Sequence, residues 1–151
     1  MSERIKVLLS EEEVDARIQQ VAAKISKDYA GREIHLICVL KGGVFFTCEL
    51  AKRITVPVSL DFMSVSSYGE DIIDSGRTLS YLIKILEDRH PNSIRLCTLL
   101  DKPERRVKKD VNVDYCCFNI PDEFVVGYGL DYAQKYRNLP FIGVVEFDGE
   151  E

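Results

Sequence analysis

The sequence predicts an α/β protein: a mostly parallel, twisted sheet flanked by helices. Three observations predict it. Strand-like and helix-like stretches alternate along the chain, the order that arises when helical crossovers join parallel strands. The first strong strand-like run, IHLICVL at 34–40, is almost continuously apolar, as suits a strand buried on both faces. Three chemically suggestive turns, LKGG, EDIIDSGRT and LLDKPERR, fall at the ends of strand-like runs. In such sheets the carboxyl ends of the strands are where ligands bind.

Element by element, the chain opens on S-x-x-E at Ser10 and Glu13, a capping box. Val14, Ile18, Val21, Ala22 and Ile25 then recur at helical spacing. That helix is expected to reach about Tyr29 and to stop at Gly31. After the 34–40 strand, KGG (41–43) breaks the run and VFFTCELAKRI (44–54) reads as a helix. VSLDFMSVSSY (58–68) is β-branched and aromatic with partial alternation, a strand. Residues 76–89 are helical, with Leu79, Leu82, Ile83 and Leu86 on one face. Residues 93–101, 113–120 and 141–147 read as strands.

Composition bounds the function. The 151 residues are expected to form a single domain over 1–151, long enough for a real core. Hydrophobic residues at 46% and charged residues at 30% are ordinary for a globular protein. A net charge of −5 gives no electrostatic footprint for nucleic acid. No apolar run reaches membrane-spanning length, and MSERIKVLLSEEE carries charges where a signal peptide needs apolar residues. The expected location is cytoplasmic. Five cysteines without a CxxC spacing sit in apolar runs and are expected to be buried, reduced thiols. His35 and His90 have no ligand-like spacing, which disfavours zinc and leaves oxygen-bound metals open.

In 74–78, DSGRT offers backbone N–H groups, two hydroxyls (Ser75, Thr78) and a glycine just before a helix. Helix N-termini bind phosphate with unpaired donors and partial positive charge. The same residues could serve only as a helix cap. They do not form the G-x-x-x-x-G-K-[ST] loop of common ATPases. Glu70 and Asp71 would repel a phosphate unless sugar hydroxyls or a magnesium ion came between, and both of those match carboxylate oxygens. Asp74 is placed to exchange a proton with the same ligand.

Together the turns resemble the phosphoribosyltransferases, specifically the hypoxanthine-guanine enzymes of purine salvage. EDIIDSGRTL matches the phosphoribosyl diphosphate signature. LKGGVFF, DFMSVSSYG, LLDKPERR and PDEFVVGYGLDYAQKYRNLPFIGVV follow the family's order over nearly the whole chain. The resemblance implies the type I phosphoribosyltransferase fold, with a small hood made by the terminal segments. It implies transfer of the phosphoribosyl group from phosphoribosyl diphosphate to hypoxanthine or guanine, with Mg2+ as cofactor. By the same resemblance, Glu70 and Asp71 would hold the ribose hydroxyls and metal, and Asp74 would manage the proton on the attacking purine nitrogen. Ser75, Gly76, Arg77 and Thr78 would cradle the 5′-phosphate. Leu40, Lys41 and Gly42 would form the diphosphate loop, with a cis peptide, and Arg137 would meet the diphosphate. Lys102 would donate to the 6-oxo group, Phe124 would stack on the base, the Val125 backbone would read its edge, and Asp131 would lie near metal and base. Ser67 and Tyr68 would begin a mobile lid. A homodimer or homotetramer is implied.

One departure is large. Between SSYG and EDIIDSG the family carries the rest of the lid and an apolar strand, whereas this chain passes directly from Gly69 to Glu70. Losing a lid touches only the surface, but losing a central strand leaves neighbouring backbone groups unpaired. Either residues that the working protein carries are missing from the sequence as read, or the join is real and 58–68 could be drawn into the vacant position. Two other readings follow: a regulator of this fold that binds nucleotide or nucleic acid, or an inactive deletion variant.

Overall fold

The structure, a computed structural model, describes residues 2–64, 72–73, 77–103 and 112–148. In chain order its elements are β1 (Glu3–Leu9), α1 (Glu11–Asp28), β2 (Ile34–Leu40), α2 (Val44–Arg53), β3 (Val58–Ser64), β4 (Ile72–Ile73), α3 (Arg77–Glu87), β5 (Cys97–Asp101), β6 (Tyr115–Asn119), β7 (Val125–Val126) and β8 (Ile142–Phe147). They fall into two units, Met1–Glu70 with Glu123–Glu151, and Asp71–Asp122.

In the first unit, Ser10 caps α1 as its sequence predicts: its hydroxyl accepts from the Glu13 N–H, and the Glu13 carboxylate accepts from the Ser10 N–H at 2.9 Å. Glu11, Glu12 and Glu13 add negative charge at the positive end of the helix dipole. The apolar stripe is buried throughout, with Val14, Ile18 and Ala22 wholly inaccessible. After Tyr29 the chain leaves the helix, and Gly31 supplies a left-handed φ of 78°. β2 and β3 pair in parallel from Ile34–Val58 to Leu40–Ser64. β1, β8 and β7 form a separate antiparallel sheet. Built from the two ends of the chain, it is the element the expected hood requires.

The second unit carries β4, β5 and β6, all parallel, with α3 following β4. Leu82 lies buried on the expected face of α3. Parallel strands lie in both units, as the α/β reading predicts.

Several sequence expectations need adjustment. β1 was not anticipated, because a bulge between Val7 and Leu9 breaks its alternation. The 93–101 strand begins only at Cys97: the Leu96 N–H donates to the Asp114 carboxylate at 2.8 Å, and its carbonyl accepts from the Asp114 and Tyr115 N–H groups. None of the five cysteines is in a disulfide, but only Cys38 and Cys117 are buried, and Cys48 is exposed on α2. β3 pairs with β2 from Val58 to Ser64, and the described residues of β4, Ile72 and Ile73, pair with Leu100 and Asp101.

Candidate active site

In the first unit the site is assembled where β2 ends. Leu40 closes β2, its peptide bond to Lys41 is cis, and Gly43 then caps α2. Lys41 is exposed and Gly42 is buried. The turn is tight because the Gly43 N–H donates to the Val39 carbonyl at 3.2 Å and the Val44 N–H to the Lys41 carbonyl at 3.1 Å.

A second loop, following β7, docks on this turn. Gly127, Tyr128 and Gly129 all have left-handed φ values, 96°, 53° and 102°. A Cβ at Gly129 would lie 2.3 Å from the Gly42 carbonyl oxygen, so the two backbones meet where no side chain intervenes. Arg137 holds the same loop: its Nη1 donates to the Gly129 carbonyl at 2.6 Å, and its Nη2 lies 3.3 Å from Asp131 Oδ1. The other Asp131 oxygen accepts the Gln134 N–H at 2.8 Å. The structure thus brings together Leu40, Lys41, Gly42, Asp131 and Arg137. Val125 lies buried in β7, and Phe124, just before it, exposes 49% of its surface.

The other predicted residues divide between the second unit and undescribed positions. Lys102 follows β5 and is only 8% exposed, with Nζ 3.8 Å from Asp122 Oδ1. A lysine so buried is not a solvated surface charge. Arg77 and Thr78 open α3. Ser67, Tyr68, Glu70, Asp71, Asp74, Ser75 and Gly76 lie outside the described residues.

Sequence reading missed the groups that brace these loops. Glu3 on β1 accepts hydrogen bonds from the Tyr136 hydroxyl and from Lys135 Nζ, the latter at 2.9 Å. Those bonds, Tyr136 first, hold the Glu3 carboxyl below its usual range and raise both partners. Arg53 pairs with Asp15 of α1 and with Glu49 one turn earlier in α2. Burial pushes the Tyr128 phenol up to about 12, so it stays neutral. Only the GYG triplet of 127–129 could have signalled any of this, through its two glycines. An open cleft of about 480 Å³, walled by Glu11, Glu12, Asp15 and Glu49, lies in the same unit. Its carboxylates suit no phosphate, and it holds none of the predicted residues.

A chain with parallel strands in both units and a glycine turn closing β2 defines a class, the α/β proteins that place their sites at strand ends. It belongs to the phosphoribosyl transferase domain family, whose model matches residues 6–71 and 69–133. The chain is similar to the hypoxanthine-guanine phosphoribosyltransferase of Streptococcus mutans, 45% identical over 170 residues, 95% of this chain and 94% of the relative. It is 43% identical to the hypoxanthine phosphoribosyltransferase of Buchnera aphidicola, over 97% of this chain and 99% of that protein. Among solved structures, a hypoxanthine-guanine phosphoribosyltransferase from Bacillus anthracis superposes with a TM-score of 0.91 at 44% identity, covering 96% of this chain and 100% of that one. The hypoxanthine phosphoribosyltransferase from Trypanosoma cruzi, in complex with the product IMP, gives 0.88 at 37%, covering 96% of each. The chain is a phosphoribosyltransferase.

The match also bears on the missing segment. The two matched pieces overlap at residues 69–71, across the Gly69–Glu70 junction. The S. mutans alignment spans 170 residues, while 95% of 151 is about 143, so about 27 of its residues have no counterpart here.

Proposed function

We propose that this chain transfers the 5-phosphoribosyl group from phosphoribosyl diphosphate to hypoxanthine or guanine, giving IMP or GMP and diphosphate. The observation that carries the reading is the docking of the Gly129 backbone on Gly42. It sets Arg137 and Asp131 beside the diphosphate turn in a chain 45% identical to a hypoxanthine-guanine phosphoribosyltransferase.

The chemistry follows from charge. As the bond from the anomeric carbon to diphosphate breaks, positive charge builds on the ribose and negative charge on the leaving group. The purine ring nitrogen attacks the same carbon, and its proton passes to Asp74 acting as general base. Glu70 and Asp71 accept hydrogen bonds from the ribose hydroxyls. Ser75, Gly76, Arg77 and Thr78 surround the 5′-phosphate, while Leu40, Lys41, Gly42 and Arg137 face the diphosphate. Catalysis is then mainly positioning and charge stabilisation. Lys102 donates to the 6-oxo oxygen, which an adenine amino group cannot replace as acceptor. Phe124 stacks on the base and the Val125 backbone reads its edge. Ser67 and Tyr68 begin the lid.

The carboxylates of Glu70, Asp71 and Asp131 are hard oxygen donors of the kind magnesium takes, and they would hold it against the substrate. When bound, the metal supplies charge neutralisation to the leaving group.

We read the chain as one domain, shortened between Gly69 and Glu70, that works in the cytoplasm as a homodimer or homotetramer. No helix among the described residues is long and apolar enough to cross a membrane. The decisive assay mixes protein, phosphoribosyl diphosphate, hypoxanthine and magnesium and follows IMP. Formation of IMP, lost on adding chelator and regained with magnesium, is expected. Full activity in chelator would remove the metal, and tight, salt-dependent nucleic-acid binding without turnover would favour a regulator.

A further inference from the structure

We propose that Tyr132 is a positioning residue for the purine base, acting through Phe124. The inference rests on the reading that Phe124 stacks on the base. Phe124 is anchored by its backbone, whose carbonyl accepts the Val145 N–H at 2.9 Å, but half of its surface is open. A ring so exposed would spend its time in several rotamers unless something fixed it, and stacking would then carry the cost of ordering it.

Tyr132 provides that constraint. Its ring lies 5.4 Å from that of Phe124, centroid to centroid, at an interplanar angle of 82°. This edge-to-face arrangement is favourable and leaves a Phe124 face available for a base. Tyr132 is in turn held from three directions. Phe147 on β8 packs against it at 5.6 Å and 69°. Lys135 Nζ sits 5.5 Å from its ring centroid, steadied by the 2.9 Å pair with Glu3 on β1. Reciprocal backbone bonds between Tyr132 and Lys135, both 2.9 Å, close a turn with left-handed φ at Ala133 and Gln134. The stacking ring is therefore braced by both terminal strands, which gives the antiparallel sheet a direct part in base binding. Functional groups held by packed neighbours bind without first being ordered.

The test is steady-state kinetics on Tyr132→Leu, Tyr132→Phe, Phe124→Leu and the Tyr132→Leu/Phe124→Leu double variant, with thermal unfolding alongside. Tyr132→Leu is expected to raise KM for hypoxanthine about three- to tenfold, the range of an aromatic pair. KM for phosphoribosyl diphosphate should stay within about twofold, since no phosphate-facing group moves. Tyr132→Phe keeps the ring and should behave as the unaltered protein. The double variant should be no worse than Phe124→Leu alone, because the two act as one unit. An unchanged hypoxanthine KM in Tyr132→Leu, where Phe124→Leu raises it, overturns the proposal. Both KM values rising together in Tyr132→Leu also overturns it, since that marks a general loss of structure. If Phe124→Leu itself changes nothing, the stacking assignment fails instead. Should Tyr132→Leu not fold, Phe147→Leu replaces it: a smaller rise in the same KM supports the brace, and none overturns it.

Discussion

Asp74 and Lys102 divide the proposed chemistry between them, one handling a proton and the other reading the base. Asp74→Asn keeps the shape and loses the base, so kcat is expected to fall by about 100-fold or more. Binding of phosphoribosyl diphosphate, measured at equilibrium, should change only a few-fold. Equal turnover would remove the acid–base role. Lys102 is buried, with Nζ 3.8 Å from Asp122 Oδ1, so a ligand oxygen would be accepting from a largely desolvated donor. Lys102→Ala should therefore erode the preference for hypoxanthine and guanine over adenine, measured as the ratio of kcat/KM values. At this scale the sequence was most legible where chemistry is written in residue types, as in EDIIDSGRT and LLDK. It was least legible for Tyr132, Lys135 and Glu3, whose roles depend on strands from opposite ends of the chain meeting.

Among the elements, α1 was the best read, because its start, apolar stripe and stop are all local signals. Ser10→Ala removes the hydroxyl that accepts from the Glu13 N–H and leaves that donor to water. A loss of about 1 kcal/mol is expected, a fall of about 2–4 °C in Tm by calorimetry. No change in Tm would mean that the cap adds nothing here. β1 was missed because its bulge shifts the inward-facing residues partway along. The 93–101 run was overread because apolar residues alone do not show where a backbone ladder begins. Asp114 takes the Leu96 groups that a longer strand would have used.

For the whole molecule the Gly69–Glu70 junction matters most. The two pieces of the family match overlap there, about 27 residues of a 170-residue alignment have no counterpart in this chain, and β4 is the strand beside β5 that follows the junction. Inserting the corresponding segment of the S. mutans relative at this junction is expected to lengthen that strand. Tm and kcat for IMP formation should both rise, and a chimera no more stable or active than the present chain would show that the direct join is sufficient. By itself the sequence determined the alternation of strands and helices, the family and the residue types at each turn, because periodicity and turn chemistry are local properties. Only the tertiary structure decided that Gly129 lies against Gly42, that Arg137 pairs with Asp131, and that Glu3 of β1 and Phe147 of β8 meet Lys135 and Tyr132. Each of these depends on close contact between segments far apart in the chain, which no local pattern encodes.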